Sequence, residues 1–166
     1  MNFDSFFSDT IATVVGGAIL TLLFFLAKEK VFPLPRVAGR WYFETRTVET
    51  AYKPFEGMVL RYVGMLWQEG PVVRGTVEKI YEISSTGERE YVGKNRNRGN
   101  LEGYIEKFYL SKDQIRIHLV EEGFGRESTV LFNLVSDDAS AMSGSFQSMA
   151  ADQSGTVKWQ RNSFAR

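Results

Sequence analysis

The sequence contains no cysteine. That excludes a disulfide framework and a thiolate metal site, and it permits a reducing compartment. A single histidine, His118, excludes a zinc site built on paired imidazoles and leaves little for a Ser-His or Cys-His nucleophile to work with. Net charge is missing as well: 20 Lys and Arg stand against 20 Asp and Glu. The basic footprint of a protein that coats duplex DNA or RNA is therefore absent, and a nucleic acid polymer is not an expected partner. Proline is scarce, at 4 in 166 residues, and the sequence beyond the first thirty or so residues shows no period of 3.6. With 43% apolar side chains the chain is too hydrophobic for disorder and too short for two ordinary domains.

Charge is also absent from every position between Thr10 and Ala27. As a helix that stretch rises about 27 Å, close to the hydrocarbon thickness of a bilayer, so a single membrane span is expected. A cleaved signal peptide would begin with basic residues, whereas the charges here are Asp4 and Asp9; a retained anchor is the expectation. Lys28, Lys30, Arg36 and Arg40 follow the span and no Lys or Arg precedes it, which places the remainder in the cytoplasm. Thr13, Gly17 and Thr21 recur every four residues, with Gly16 beside them. Such a flat face lets a second helix approach, although short patterns of small residues also arise in single helices by chance.

The expected organisation is an anchor over 1–30, a connector over 31–38 stiffened by Pro33 and Pro35, and a β domain over 39–166. Eight runs have strand composition: 40–50, 57–68, 72–84, 101–110, 114–121, 127–135, 140–150 and 156–164. Turn residues separate them, among them Gly70-Pro71 and Gly123-Phe124-Gly125. Short connections make successive strands antiparallel, and a meander of eight removes its exposed edges by closing on itself. The fold class is thus mainly β: one transmembrane helix followed by an eight-stranded antiparallel meander barrel.

Alternation within strands supplies an inward set. It includes Trp41, Phe43, Thr45 and Thr47 on the first run, Tyr62 on the second, and Val73, Val77, Lys79, Tyr81 and Ile83 on the third. Lys107 and Tyr109 follow on the fourth, and Trp159 and Arg161 on the last. The inward charges are then Lys79, Lys107 and Arg161, with no inward carboxylate. Unpaired buried cations are costly, so either a phosphate-bearing ligand partners them or their stems carry the charge to the barrel ends. Tyr62, Tyr81, Tyr109 and Trp159 either stack on a base or fill the core. Lys94, Arg96 and Arg98 form a basic loop that either closes over an anion or is a solvated tip. Glu121-Glu122 and Asp137-Asp138 read as acidic strand ends, and His118 faces outward. No nucleophile-base pair, metal cluster or cofactor motif stands out, so binding rather than catalysis is expected.

Gly39-Arg40-Trp41 at the start of the first strand and Arg161 near the end of the last resemble the G-x-W and terminal arginine of lipocalin-type barrels, the calycins. The resemblance implies that Arg161 covers the indole and closes one barrel end. A short membrane segment followed by a minimal barrel also resembles the β-strand-rich transmembrane effectors of bacterial CBASS-type anti-phage systems. That likeness implies a barrel that binds a cyclic nucleotide, an inner-membrane location, and a homo-oligomer whose clustered helices damage the bilayer. Two other functions fit the same residues: a carrier of an apolar small molecule, and a membrane-tethered scaffold for a protein partner.

Overall fold

The computed structural model describes residues 3–31, 33–122 and 127–165; the expected Gly123-Phe124-Gly125 turn lies outside them. The chain divides into two compact units, Met1–Pro33 and Leu34–Arg166.

The first unit is one helix, α1 (Phe3–Val31). Its stretch Phe7–Lys28 is long and apolar enough to cross a membrane, and none of it is buried. The side chains that could break the apolar surface are satisfied within the helix: the Thr13 and Thr21 hydroxyls donate to the carbonyls of Asp9 and Gly17, each at 2.8 Å. A Cβ added at Gly16 or Gly17 would meet nothing within 4 Å.

The second unit is a closed antiparallel barrel. Its strands are β1 (Gly39–Glu49), β2 (Val59–Glu69), β3 (Val72–Ser84), β4 (Gly87–Glu90), β5 (Arg98–Glu106), β6 (Gln114–Glu122), β7 (Glu127–Ser136), β8 (Ala141–Ser148) and β9 (Gln153–Gln160). Eight of them form the barrel: β1 pairs with both β2 and β9, and β2–β3 pairing closes the ring. The eight expected runs correspond to these eight. The short β4 was not expected; it folds back on the end of β3, pairing Tyr81 with Glu90 and Ser84 with Gly87. The tight β2–β3 link is Gly70-Pro71, where Gly70 takes the left-handed φ of +58° that the turn requires.

The lumen is filled by the alternate residues of these strands. Phe43 is stacked between Trp159, with ring centroids 4.0 Å apart, and Tyr62, at 4.7 Å, and Phe132 meets it edge-on at 5.7 Å. Around this stack lie Leu66, Val73, Val77, Leu101, Ile117 and Leu119, all buried. Space for so narrow a ring comes from inward glycines: a Cβ at Gly144 would run into the Asn133 carbonyl of β7, and one at Gly103 into the Arg116 carbonyl of β6.

One end is sealed. The Arg161 guanidinium lies 3.8 Å from the centroid of the Trp41 ring and donates to the carbonyls of Arg40, at 3.1 Å, and Arg36, at 3.3 Å. This is the arrangement that the G-x-W resemblance implied. Gly39 is required there twice over, by a φ of +107° and because a Cβ would sit 3.0 Å from Arg161 Nη1. The Trp41 indole donates to the Val37 carbonyl at 2.7 Å, which fixes the plate that Arg161 covers. Arg161→Ala should therefore lower barrel stability by about 2 kcal/mol, the upper range for a desolvated cation–π contact. Denaturant unfolding followed by tryptophan fluorescence measures it, and acrylamide should reach Trp41 more readily in the variant.

Candidate functional site: the open mouth of the barrel

The other end is formed where β1, β3, β6 and β8 finish and where β2, β5, β7 and β9 begin. Here the inward positions turn polar. Thr45 and Thr47 on β1, Lys79 on β3, Glu121 on β6 and Gln153 on β9 replace the leucines and valines of the middle. The Thr47 hydroxyl donates to Gln153 Oε1 at 3.1 Å, and Gln153 Nε2 donates to the Ala150 carbonyl at 2.9 Å.

Lys79 does point inward, with a side chain only 13% exposed, but it is not short of an anion. Its Nζ lies 3.3 Å from Glu121 Oε1 and 3.8 Å from Glu82 Oε2, and 5.2 Å from the centroid of the Tyr91 ring. The expectation of an interior without carboxylates is thus corrected by Glu121. In the β6 alternation Ile115, Ile117 and Leu119 face inward, so Glu121 continues the inner row to the rim. Reading that strand to its last inward position would have found it.

Glu121 Oε2 accepts from the Tyr62 hydroxyl at 3.1 Å, and Oε1 from Asn97 Nδ2 at 3.4 Å. Burial first, and then the charge and hydrogen bond of Glu121, push the Tyr62 phenol well above its ordinary value. The folded state therefore holds the Tyr62 proton more tightly than the unfolded chain does. Its contribution to stability is complete below the unfolded value of about 10 and is lost as pH rises through and above that value. Denaturant unfolding in steps across that alkaline range should show a fall in stability that is shallower in Tyr62→Phe. A residual fall remains, because burial and the Glu82 hydrogen bond raise Tyr91 in the same direction.

The basic loop reaches the same rim. Asn97, the residue that contacts Glu121, sits between Arg96 and Arg98, and its carbonyl accepts from the Lys79 amide at 2.9 Å. Arg96 is tied down, donating to Glu78 Oε2 at 2.9 Å and the Tyr91 carbonyl at 3.1 Å. Arg98 is 75% exposed with Glu78 at 3.6 Å, and Lys94 is exposed.

Inside the rim is a cavity of 60 Å³, lined by Thr45, Leu60, Tyr62, Glu121, Phe146 and Gln153 among others. That is room for about four waters, or for one edge of a flat ring, and far less than the several hundred Å³ that enclose a whole small ligand. A more open depression of 340 Å³ lies across the turn from Met149 to Ser154, with Thr129 and Leu131 in its wall; among the described residues no cation lines it.

The remaining expected site residues fall elsewhere. β3 shifts register opposite Arg61 and Tyr62, so that Tyr62 pairs with Lys79 but Arg61 pairs with Tyr81. The extra residue, Ile80, is a bulge that reverses the faces beyond it. Tyr81 is consequently turned to the outer side, where its hydroxyl donates to Glu88 at 2.5 Å and its ring lies under Arg61. Ile83, also expected inward, lies beyond the same bulge and is only half-buried. β5 stops at Glu106, four residues before its expected end, because Asp113 closes the turn: it accepts from the Phe108 amide at 3.0 Å and from Lys107 Nζ at 2.8 Å. Lys107 therefore lies at the sealed end, opposite Lys79, and Tyr109 is exposed beyond the strand. Trp159 belongs to the aromatic stack and Arg161 to the seal, and neither lines the cavity at the mouth. His118 is exposed, as expected. Among the described residues no group of His, Asp and Glu is arranged to hold a metal.

No protein-family model matches this sequence, and no curated protein is significantly similar to it. Two solved structures are similar in fold. A de novo designed fluorescence-activating β-barrel superposes with a TM-score of 0.52 at 13% identity, covering 75% of this chain and 93% of its own. A redesigned β-barrel gives 0.50 at 9% identity, covering 76% and 92%. At such identities the likeness concerns the barrel fold alone.

Proposed function

We propose that this protein is a membrane-anchored receptor-effector. The helix holds it in the bacterial inner membrane with the barrel in the cytoplasm, the mouth of the barrel binds a cyclic nucleotide second messenger, and clustering of the helices disrupts the bilayer in anti-phage defence. The observation that supports this reading is the inequality of the two barrel ends. One is closed by Arg161 on Trp41; the other gathers buried hydrogen-bonding groups around a cavity beside a basic loop. Polar side chains in a barrel interior cost stability unless they are partnered, and a barrel that served only as a scaffold has no need of them.

The roles differ from those expected of the sequence. Lys79 is neutralised by Glu121 and Glu82, so it holds Glu121 in place, while the exposed Lys94 and Arg98 meet the phosphates outside. Only part of one base enters the cavity; the rest of the ligand lies across the rim. A ligand with two such halves engages two mouths, and the resulting proximity raises the effective concentration of the Thr13, Gly16, Gly17 and Thr21 helix faces. The full chain in lipid nanodiscs, titrated calorimetrically with a panel of cyclic dinucleotides, should give saturable binding to at least one. Absence of heat for all of them, with the barrel folded by circular dichroism, rejects the reading and leaves the carrier of an apolar small molecule and the protein-tethering scaffold.

A further inference from the structure

We infer that the mouth reads guanine, and that Glu121 is the residue that reads it; the inference rests on the receptor reading above and names the base that enters the cavity. Among the described residues, Glu121 is the one charged residue lining the cavity. It is an acceptor without donors of its own, and it is 7% exposed. Its present contacts occupy it incompletely. Tyr62 holds Oε2 at 3.1 Å, while Asn97 at 3.4 Å and Lys79 at 3.3 Å are long for hydrogen bonds to a carboxylate. A carboxylate has about four acceptor positions, so capacity remains for a stronger donor pair.

The charge of Glu121 excludes phosphate from the cavity and admits a donor edge. The walls suit the part of a base that enters: Leu60, Val130, Phe132 and Phe146 offer apolar and aromatic surface, with Thr45 and Ser128 hydroxyls beside them. Guanine carries two adjacent donors, N1–H and the N2 amino group, spaced to meet both oxygens of one carboxylate. Adenine and cytosine set their amino group next to a ring-nitrogen acceptor, which would face the second oxygen. Uracil flanks its N3–H with two carbonyls, both repelled by the anion. Of the four, guanine alone makes two charge-assisted bonds to Glu121. The base enters edge first because the cavity has room for only one edge of the ring.

The test titrates the full chain in nanodiscs with cyclic di-GMP, cyclic di-AMP and cyclic di-UMP by calorimetry. Cyclic di-GMP should bind at least about tenfold more tightly than the other two. E121Q keeps the size but replaces one acceptor oxygen with a donor, and it should bring the three ligands to within about threefold of one another. The ranking of the three ligands by the wild-type chain is a check that does not depend on E121Q folding. Equal or tighter binding of cyclic di-AMP or cyclic di-UMP to the wild-type chain overturns the inference while leaving the receptor standing. A guanine preference that survives in folded E121Q also overturns it. Failure of all three ligands to bind overturns it too, and if the wider panel also gives no heat the receptor reading falls with it.

Discussion

Phe43→Ala is expected to destabilise the barrel by about 4 kcal/mol, the middle of the range for removing a buried aromatic ring. Phe43 is fully buried and is the middle of three stacked rings, with Trp159 on one face and Tyr62 on the other. Its loss leaves both neighbours without a partner on that side, and β-barrel strands bonded on both edges cannot move in to fill the gap. Guanidinium unfolding of the chain in detergent, followed by tryptophan fluorescence, measures the change. Leu131→Ala, on the outer face at half exposure, serves as the control and should stay within about 0.5 kcal/mol. A loss below about 1.5 kcal/mol for Phe43→Ala would show a lumen that collapses freely, and with it a cavity too plastic to discriminate between ligands.

The second large effect concerns the ion pair at the mouth. Lys79→Met should cost about 3 kcal/mol, because Glu121 is then left buried with hydrogen bonds from Tyr62 and Asn97 but without its cation. Replacing both partners, as Lys79→Met with Glu121→Leu, should recover most of that loss, since neither charge is then stranded. The same unfolding measurement on the two single variants and the double variant gives the coupling. A double variant as unstable as the sum of the singles would mean that the two groups act independently, and that Lys79 does not hold Glu121 in place. The design also separates stability from binding: the double variant is expected to fold and to lose its preference among ligands.

How far the site could be read from the residues depended on where along each strand the reading stopped. Trp41, Phe43, Thr45 and Thr47 are inward in the structure as alternation requires, because β1 runs without a bulge from Gly39 to Thr47. Lys79 is inward for the same reason. Tyr81 is not, because one extra residue at Ile80 reverses every face after it, and nothing in the run VEKIYEIS marks where an insertion of that kind falls. Lys107 and Tyr109 were misplaced by an end effect: Asp113 draws the chain into a turn by binding the Phe108 amide, and the strand ends before either residue. Glu121 reads as an acidic strand end rather than as an inward residue, since a strand's last residue and a turn's first look alike in composition. The approach of Asn97 to Glu121 joins a loop residue to the end of a strand remote in sequence, which no local pattern records.

The sequence by itself determined the parts whose causes are local. An uncharged stretch of membrane-spanning length makes one apolar helix, alternation between turn residues makes eight strands, and short connections force them antiparallel, so closure into a barrel follows from the need to satisfy the edges. Gly39, Trp41 and Arg161 marked the sealed end through their resemblance to lipocalin-type barrels, since the contact itself joins the first strand to the end of the last. Only the tertiary structure decided that the lumen is filled at its centre and polar at one mouth, and that Lys79 meets a carboxylate 42 positions away rather than an empty interior. The physical reason is that pairing of buried charge depends on which strand ends share a rim. That is set by bulges and strand lengths, whose energies are small beside the burial that selects the fold.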